Sequence, residues 1–357
     1  MASIATLARA EKLAPWIGGL VVALPVLIVA FPPMADLPLH EASIGLLRHW
    51  SDPTFCPHQL YFINLGQANQ LFSLVVLALS YLMPIQWATK TGVALTLVAL
   101  PVAAGHFADH LRAPRWTALL VAPLGLGWLF FWGLIQNLVG LAALLALLPT
   151  IDRFAKSPTR RGAIAVCAGM VLMHFAHQAM QILAGILIVV CTLGASWRWR
   201  DMALRSAPVL LGAAIVVTAN RYSWKVAGPR LKATYSSQWD PPMKKISDFS
   251  GVLFAGYEPY IRNLVFVLVL VPVAMLLAER VRGRDRGPRS WTERAHAMRF
   301  EIFATAMLVL YMVAPHAIKS TTLVYHRFLP PAWAVFAVSC ATGTAATARL
   351  LPRLLCA

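Results

Sequence analysis

Apolar runs long enough to cross a bilayer follow one another along almost the whole 357-residue chain. A hydrocarbon core about 30 Å thick needs roughly 20 apolar residues of helix, because lipid offers no partner for backbone polar groups. Runs of this kind fall near 13–31, 67–84, 91–107, 116–150, 162–180, 181–196, 206–220, 262–279, 300–315 and 329–349. The expected fold is therefore all-α, a polytopic transmembrane helical bundle of about ten or eleven helices that forms one domain over 1–357. Only 13% of the residues are charged, against about a quarter in a soluble domain, so the apolar runs have no soluble alternative. Arg9 and Lys12 ahead of the first run give it the look of a signal peptide, but its length and the many later spans favour a retained helix.

The net charge of +17 would suit nucleic acid, yet Lys and Arg sit in short segments between apolar runs and form no single basic face. No nucleic-acid partner is expected. The segments Asp152–Arg161, Trp197–Arg205 and Glu279–Arg299 hold 14 of the 31 basic residues, and the positive-inside rule makes them cytoplasmic. Working outward from them leaves two long outer segments, 32–68 and 221–262, with the turn around His326 also outside. The 116–150 run is too long for one span and barely enough for two. Read as a hairpin of short helices it puts Asp109 and the surrounding HFADHLRAPR outside, and the crossings between 67 and 150 then fail to close. Only Cys56 among the five cysteines lies in an outer loop, so neither a disulfide framework nor a CxxC metal pattern is available. No Gly-rich phosphate loop or dinucleotide fingerprint is present, and no soluble cofactor is expected.

Several polar residues sit where lipid-facing chemistry does not need them. In FPPMADLPLHEASIGLLRHW, Asp36 follows the first helix and is itself followed by His40 and Glu41. A spacing of four puts Asp36 and His40 on one helical face, while Ile44, Leu46, Leu47 and Trp50 suit a helix lying in the interface plane. Asp36 fits either an N-cap or a catalytic group at the outer face. MHFAHQAMQ places His174, His177, Gln178 and Gln181 near the outer end of a span, as functional groups or as interhelical hydrogen bonds. The HxxH spacing has no defined third ligand, which gives zinc little support. Gln136 and Asn137 in GWLFFWGLIQNLVG either line a cavity or tie two helices together. TTLVYHRFLPPAW brings Tyr325, His326 and Arg327 to the outer boundary, with Lys319 upstream. An arginine there grips a phosphate or carboxylate with its fork, or anchors a helix end among headgroups.

Together these features resemble the GT-C class of membrane glycosyltransferases, which move a sugar from a polyprenyl-phosphate carrier to an acceptor on the non-cytoplasmic face. The resemblance rests on Asp36 in DLPLHEA directly after helix one and on amphipathic juxtamembrane helices expected near Leu37–Trp50 and Gln59–Leu65. It rests also on the histidine-bearing MHFAHQ and on RFLPP, Arg327 to Pro331, before a late span. It implies a GT-C-like bundle with Asp36 as general base and with His40, Glu41, His174, His177, Lys319, His326 and Arg327 binding substrate. The implied partners are a polyprenyl-phosphate-linked sugar and membrane lipid, in a bacterial inner membrane with the site on the periplasmic side. Many members add a soluble domain after the last span, whereas this sequence stops at Ala357. It also lacks the second acidic pair of metal-dependent oligosaccharyltransferases, Asp109 being the one substitute, so a divalent metal is not supported. Two other classes stay open: a secondary transporter or flippase with His174, His177 and Arg327 on its pathway, and an accessory scaffold without chemistry.

Overall fold

The structure, a computed structural model, describes residues 4–64, 66–196, 198–227, 237–255, 258–282, 291–318 and 321–342. In chain order its helices are α1 (Ile4–Ile28), α2 (Leu37–Arg48), α3 (Leu71–Ser80), α4 (Ile85–Leu111), α5 (Trp128–Phe131), α6 (Ile135–Lys156), α7 (Arg160–Ala176) and α8 (Gln178–Ala195). They continue as α9 (Trp199–Ala227), α10 (Pro242–Ser247), α11 (Phe249–Phe254), α12 (Pro259–Arg282), α13 (Trp291–Ala297), α14 (Arg299–Val313) and α15 (Leu329–Ser339). Among the described residues six helices, α1, α4, α6, α8, α9 and α12, are long and apolar enough to cross a membrane, so the chain is an integral multi-pass membrane protein. α4 and α6 form its centre, each with 67% of its apolar window buried, whereas α12 lies at the periphery with 17% buried.

Charge sorts the two ends of the bundle. At the basic end Asp109 takes the Arg115 guanidinium, Glu11 accepts the Arg115 N–H at 3.0 Å, and Asp152 collects His110, Lys156 and Arg299. The start of α1 and the ends of α4 and α6 therefore lie together with the start of α14. At the opposite end Lys90 donates to the last carbonyls of α1, Leu27 O at 3.0 Å and Val29 O at 2.7 Å. Three shorter segments run between the same two ends: Arg115–Phe131, α7 and α14.

These contacts correct three expectations. The 67–84 run does not cross: α3 has only 10 residues, about 15 Å of rise. Asn69, just before it, bonds the His174 carbonyl, and α3 then doubles back along α4 with Phe72 and Val76 against Gly92. A run that enters and leaves at one end restores the parity that a crossing there destroys. HFADHLRAPR accordingly lies at the basic end, with His110 against Asp152, and not outside. The 115–131 return stroke is broken into two 3-10 turns and the short α5 because Pro114 and Pro123 lack donors. Such irregular backbone is tolerated at membrane depth because Trp116, Ala118, Val121 and Leu124 are buried in protein. Finally, α2 forms as expected, but Gln59–Asn64 is turn and irregular chain, so the second amphipathic helix does not form; Leu65 lies outside the described residues.

Candidate functional site

Asp36 occupies the N-cap position of α2, yet its carboxylate makes no capping hydrogen bond, and no ion pair involves it among the described residues. What is fixed is its backbone. The Ala35 N–H donates to Phe131 O at 2.9 Å, and Gly133 lies so close that a Cβ there would sit 2.5 Å from the Asp36 nitrogen. Gly133 also has φ +75°, a left-handed conformation that glycine adopts without steric cost. One turn on, His40 Nε2 donates to Gly133 O at 3.2 Å while Nδ1 accepts from Gln136 at 3.2 Å. Burial pushes the His40 pKa below its ordinary value, which matches a neutral ring with one donor and one acceptor nitrogen. Gln136 thus ties α6 to α2. Glu41 serves a neighbouring face, where it lines a pocket of about 60 Å³ with Gln86 and Lys90. Burial raises its carboxyl.

The histidines of MHFAHQ part company. His174 is buried and its Nε2 meets Gly66 O at 3.2 Å, so together with the Asn69 bond it holds the 66–70 loop in place. His177, in the turn between α7 and α8, is seated on α6 at Gly140, where a Cβ would collide with it. Its Nε2 faces Arg327 Nη1 at 3.4 Å. Burial, and then the Arg327 charge, push the His177 pKa down to about 3, so the ring is neutral. Nε2 accepts from the guanidinium and the ring proton rests on Nδ1, a buried atom with no partner.

Arg327 belongs to a 3-10 turn, Tyr325–Arg327, ahead of α15. It donates to Thr322 O at 3.3 Å, its Nε has no partner, and no carboxylate pairs with it among the described residues. Burial lowers its pKa. A half-buried cation without a counter-charge can receive an anion at its open edge. Beside it His326 is sandwiched between Trp128, 4.5 Å away, and Tyr325, 3.9 Å away, and burial brings its pKa to about 3. Asp36 and the Tyr325–Arg327 turn therefore share one wall, the Trp128–Gly133 stretch. Phe131 meets Ala35, Gly133 meets Asp36, and Trp128 meets His326. Lys319 lies outside the described residues.

No protein-family model, curated protein or solved structure matches this chain. Its chemistry is read from these side chains. Among the described residues no group of three or more His, Cys, Asp or Glu is placed to hold a metal ion.

The sequence reading passes over Asp240, which the structure sets against the same turn. Asp240 accepts from Tyr325 Oη at 3.0 Å and from Lys244 Nζ at 2.9 Å. His316 Nδ1 approaches at 3.2 Å, a charge contact whose geometry falls short of a hydrogen bond. Burial favours the neutral acid, but the bonds from Lys244 and Tyr325 prevail and hold the carboxyl below the usual range. The signal in the sequence is an acid directly before Pro241 and Pro242, in a 221–262 segment with more Lys and Arg than acids.

Proposed function

We propose that the protein is a membrane glycosyltransferase of GT-C type, moving a sugar from a polyprenyl-phosphate donor to an acceptor hydroxyl at the end of the bundle opposite its basic loops. The observation that carries the reading is Arg327, a half-buried guanidinium with neutral His177 beside it and no carboxylate pairing with it among the described residues, at the same end as the uncapped carboxylate of Asp36. In the reaction Asp36 takes the acceptor proton as the acceptor oxygen bonds to the anomeric carbon with inversion. The bond from that carbon to the phosphate oxygen breaks, and its electron pair leaves on the phosphate next to Arg327. The Arg327 guanidinium, whose Nη2 side is open, is the cation that meets that charge, with His177 beside it. His40, locked between Gly133 and Gln136, orients the turn of helix that carries Asp36.

The test is Asp36→Asn in membranes supplied with labelled lipid-linked sugar. A general base contributes on the order of 10² to 10⁴ in rate, and transfer is expected to fall by at least 10². Undiminished transfer by a folded Asp36→Asn protein removes Asp36 from the role. A transporter or flippase is the second reading, favoured by the buried charges of Asp152 and Arg299 at the other end of the bundle. It predicts accumulation of substrate in proteoliposomes with no covalent change to the lipid.

A further inference from the structure

The loop that carries Arg327 is held from one side by a strap of chain that no part of the proposed reaction uses. The strap is Gln238–Ser247, between α9 and α12. Its backbone bonds the loop after α14: the Gln238 N–H donates to Ala317 O at 3.0 Å, and the His316 N–H returns to Gln238 O at 2.7 Å. The Val324 N–H then donates to His316 O at 3.0 Å, closing a loop that contains Leu323 at φ 58°, a left-handed conformation that branched side chains avoid. Lys245 lies buried beneath, with its Nζ on Met312 O at 2.8 Å and Ala314 O at 2.6 Å, and caps the end of α14. The same ammonium sits 4.6 Å from the centre of the Tyr325 ring.

From the strap, the side chain that reaches into the Tyr325–Arg327 turn is Asp240. Tyr325 is fully buried, its ring stacked on His326 and edge-on to Tyr311, so its position depends on where its hydroxyl can find a partner. Asp240 supplies that partner, and the bonds from Lys244 and Tyr325 hold its carboxyl below the usual range. Two residues further on, the Arg327 guanidinium points the other way, toward His177, and braces itself on Thr322 O of the same loop. The turn is thus tied to the strap at Tyr325, and Arg327 is turned away from the strap toward His177.

We propose that Asp240 is a positioning residue for the anion-binding guanidinium: through Tyr325 it holds the Tyr325–Arg327 turn in the conformation that presents Arg327 to the donor phosphate. The proposal rests on the reading that Arg327 receives that phosphate. It assigns the strap a role in donor affinity, separate from the proton transfer at Asp36. Without the Asp240 carboxylate a buried phenol loses its acceptor, the turn relaxes, and Arg327 is no longer held where His177 meets it.

The experiment is binding of farnesyl phosphate to the full-length protein in detergent, with farnesol as the uncharged control. Asp240→Ala and Tyr325→Phe are each expected to weaken farnesyl phosphate binding roughly tenfold, the effect of one lost buried hydrogen bond, and to leave farnesol binding unchanged. The double variant should be no weaker than either single one, because both cut the same link. Asp240→Asn keeps an acceptor oxygen for Tyr325 and should stay within about threefold of wild type. Arg327→Gln separates the two ideas. If it binds farnesyl phosphate as wild type does, the anion site itself is wrong. If it loses binding while Asp240→Ala and Tyr325→Phe keep it, the positioning role is overturned and the site stands. An equal loss of farnesol and farnesyl phosphate also overturns it, since that is the mark of a merely structural role. Should Asp240→Ala fail to fold, Tyr325→Phe and Asp240→Asn decide alone.

Discussion

Removing the Asp152 carboxylate should cost more stability than any other single side-chain change in the basic end of this protein. The side chain is fully buried and takes both arms of the Arg299 guanidinium, Nε on Oδ1 and Nη2 on Oδ2 at 2.9 Å. His110 Nε2 adds a contact at 2.7 Å and Lys156 Nζ one at 2.9 Å. The three partners are not equal. Lys156 is 42% exposed, so its pairing is worth at most about 1 kcal/mol, whereas Arg299 is itself buried and would be left as an uncompensated charge. Breaking a buried pair from one side costs about 3–5 kcal/mol, and Asp152→Ala is expected to fall in that range. Replacing both partners with apolar residues, Asp152→Leu with Arg299→Met, removes the stranded charge and should recover most of the loss. SDS-induced unfolding in mixed micelles, followed by tryptophan fluorescence, measures all of these. A loss under about 1 kcal/mol for Asp152→Ala, or a double variant as unstable as the sum of its singles, would refute the claim that the pair is buried and mutually dependent.

Three further outcomes follow from single contacts. Gly133→Ala forces a left-handed φ on alanine and drives its Cβ into the Asp36 backbone; about 1–3 kcal/mol of stability should go, and sugar transfer should fall at least tenfold. Wild-type transfer by that variant contradicts the close approach. Lys90→Met leaves Leu27 O and Val29 O unmet at the end of α1 and should destabilise by about 1–3 kcal/mol in the same unfolding assay. His326 gives a pH dependence. Its folded pKa of about 3 lies below the ordinary 6.5, so between those values the unfolded chain holds a proton that the folded one does not, and stability drops as pH falls. The slope is about 1.4 kcal/mol per pH unit per proton. His326→Phe, which keeps an aromatic ring between Trp128 and Tyr325, should remove one proton's worth of it; an unchanged slope would show that His326 is not buried neutral.

Much of this protein was legible one segment at a time. The lipid-embedded helices follow from summed hydropathy, which is a property of consecutive residues. α2 was visible from the spacing of Ile44 and Leu47 and from the acid ahead of it. The boundary of α7 and α8 falls at His177, a few residues before the division between 180 and 181 that the apolar runs suggest. Length alone misled at 67–84, because an apolar run says how much surface must avoid water and not whether the chain goes through or turns back. Gln59–Leu65 misled in a related way: amphipathic spacing permits a helix but cannot supply the packing that stabilises a short one.

What the sequence determined by itself was the solvent the chain lives in and the charge that distinguishes its two ends, since both are sums over neighbours along the backbone. The tertiary structure alone decided which polar groups meet. His40 reaches Gly133 across 93 positions, Asp152 reaches Arg299 across 147, and Arg327 reaches His177 across 150. It also separated His174 from His177 and raised Asp240 from an unremarked loop acid to the partner of Tyr325. Contacts of that range depend on how whole helices pack, and no local pattern of residue types records that packing.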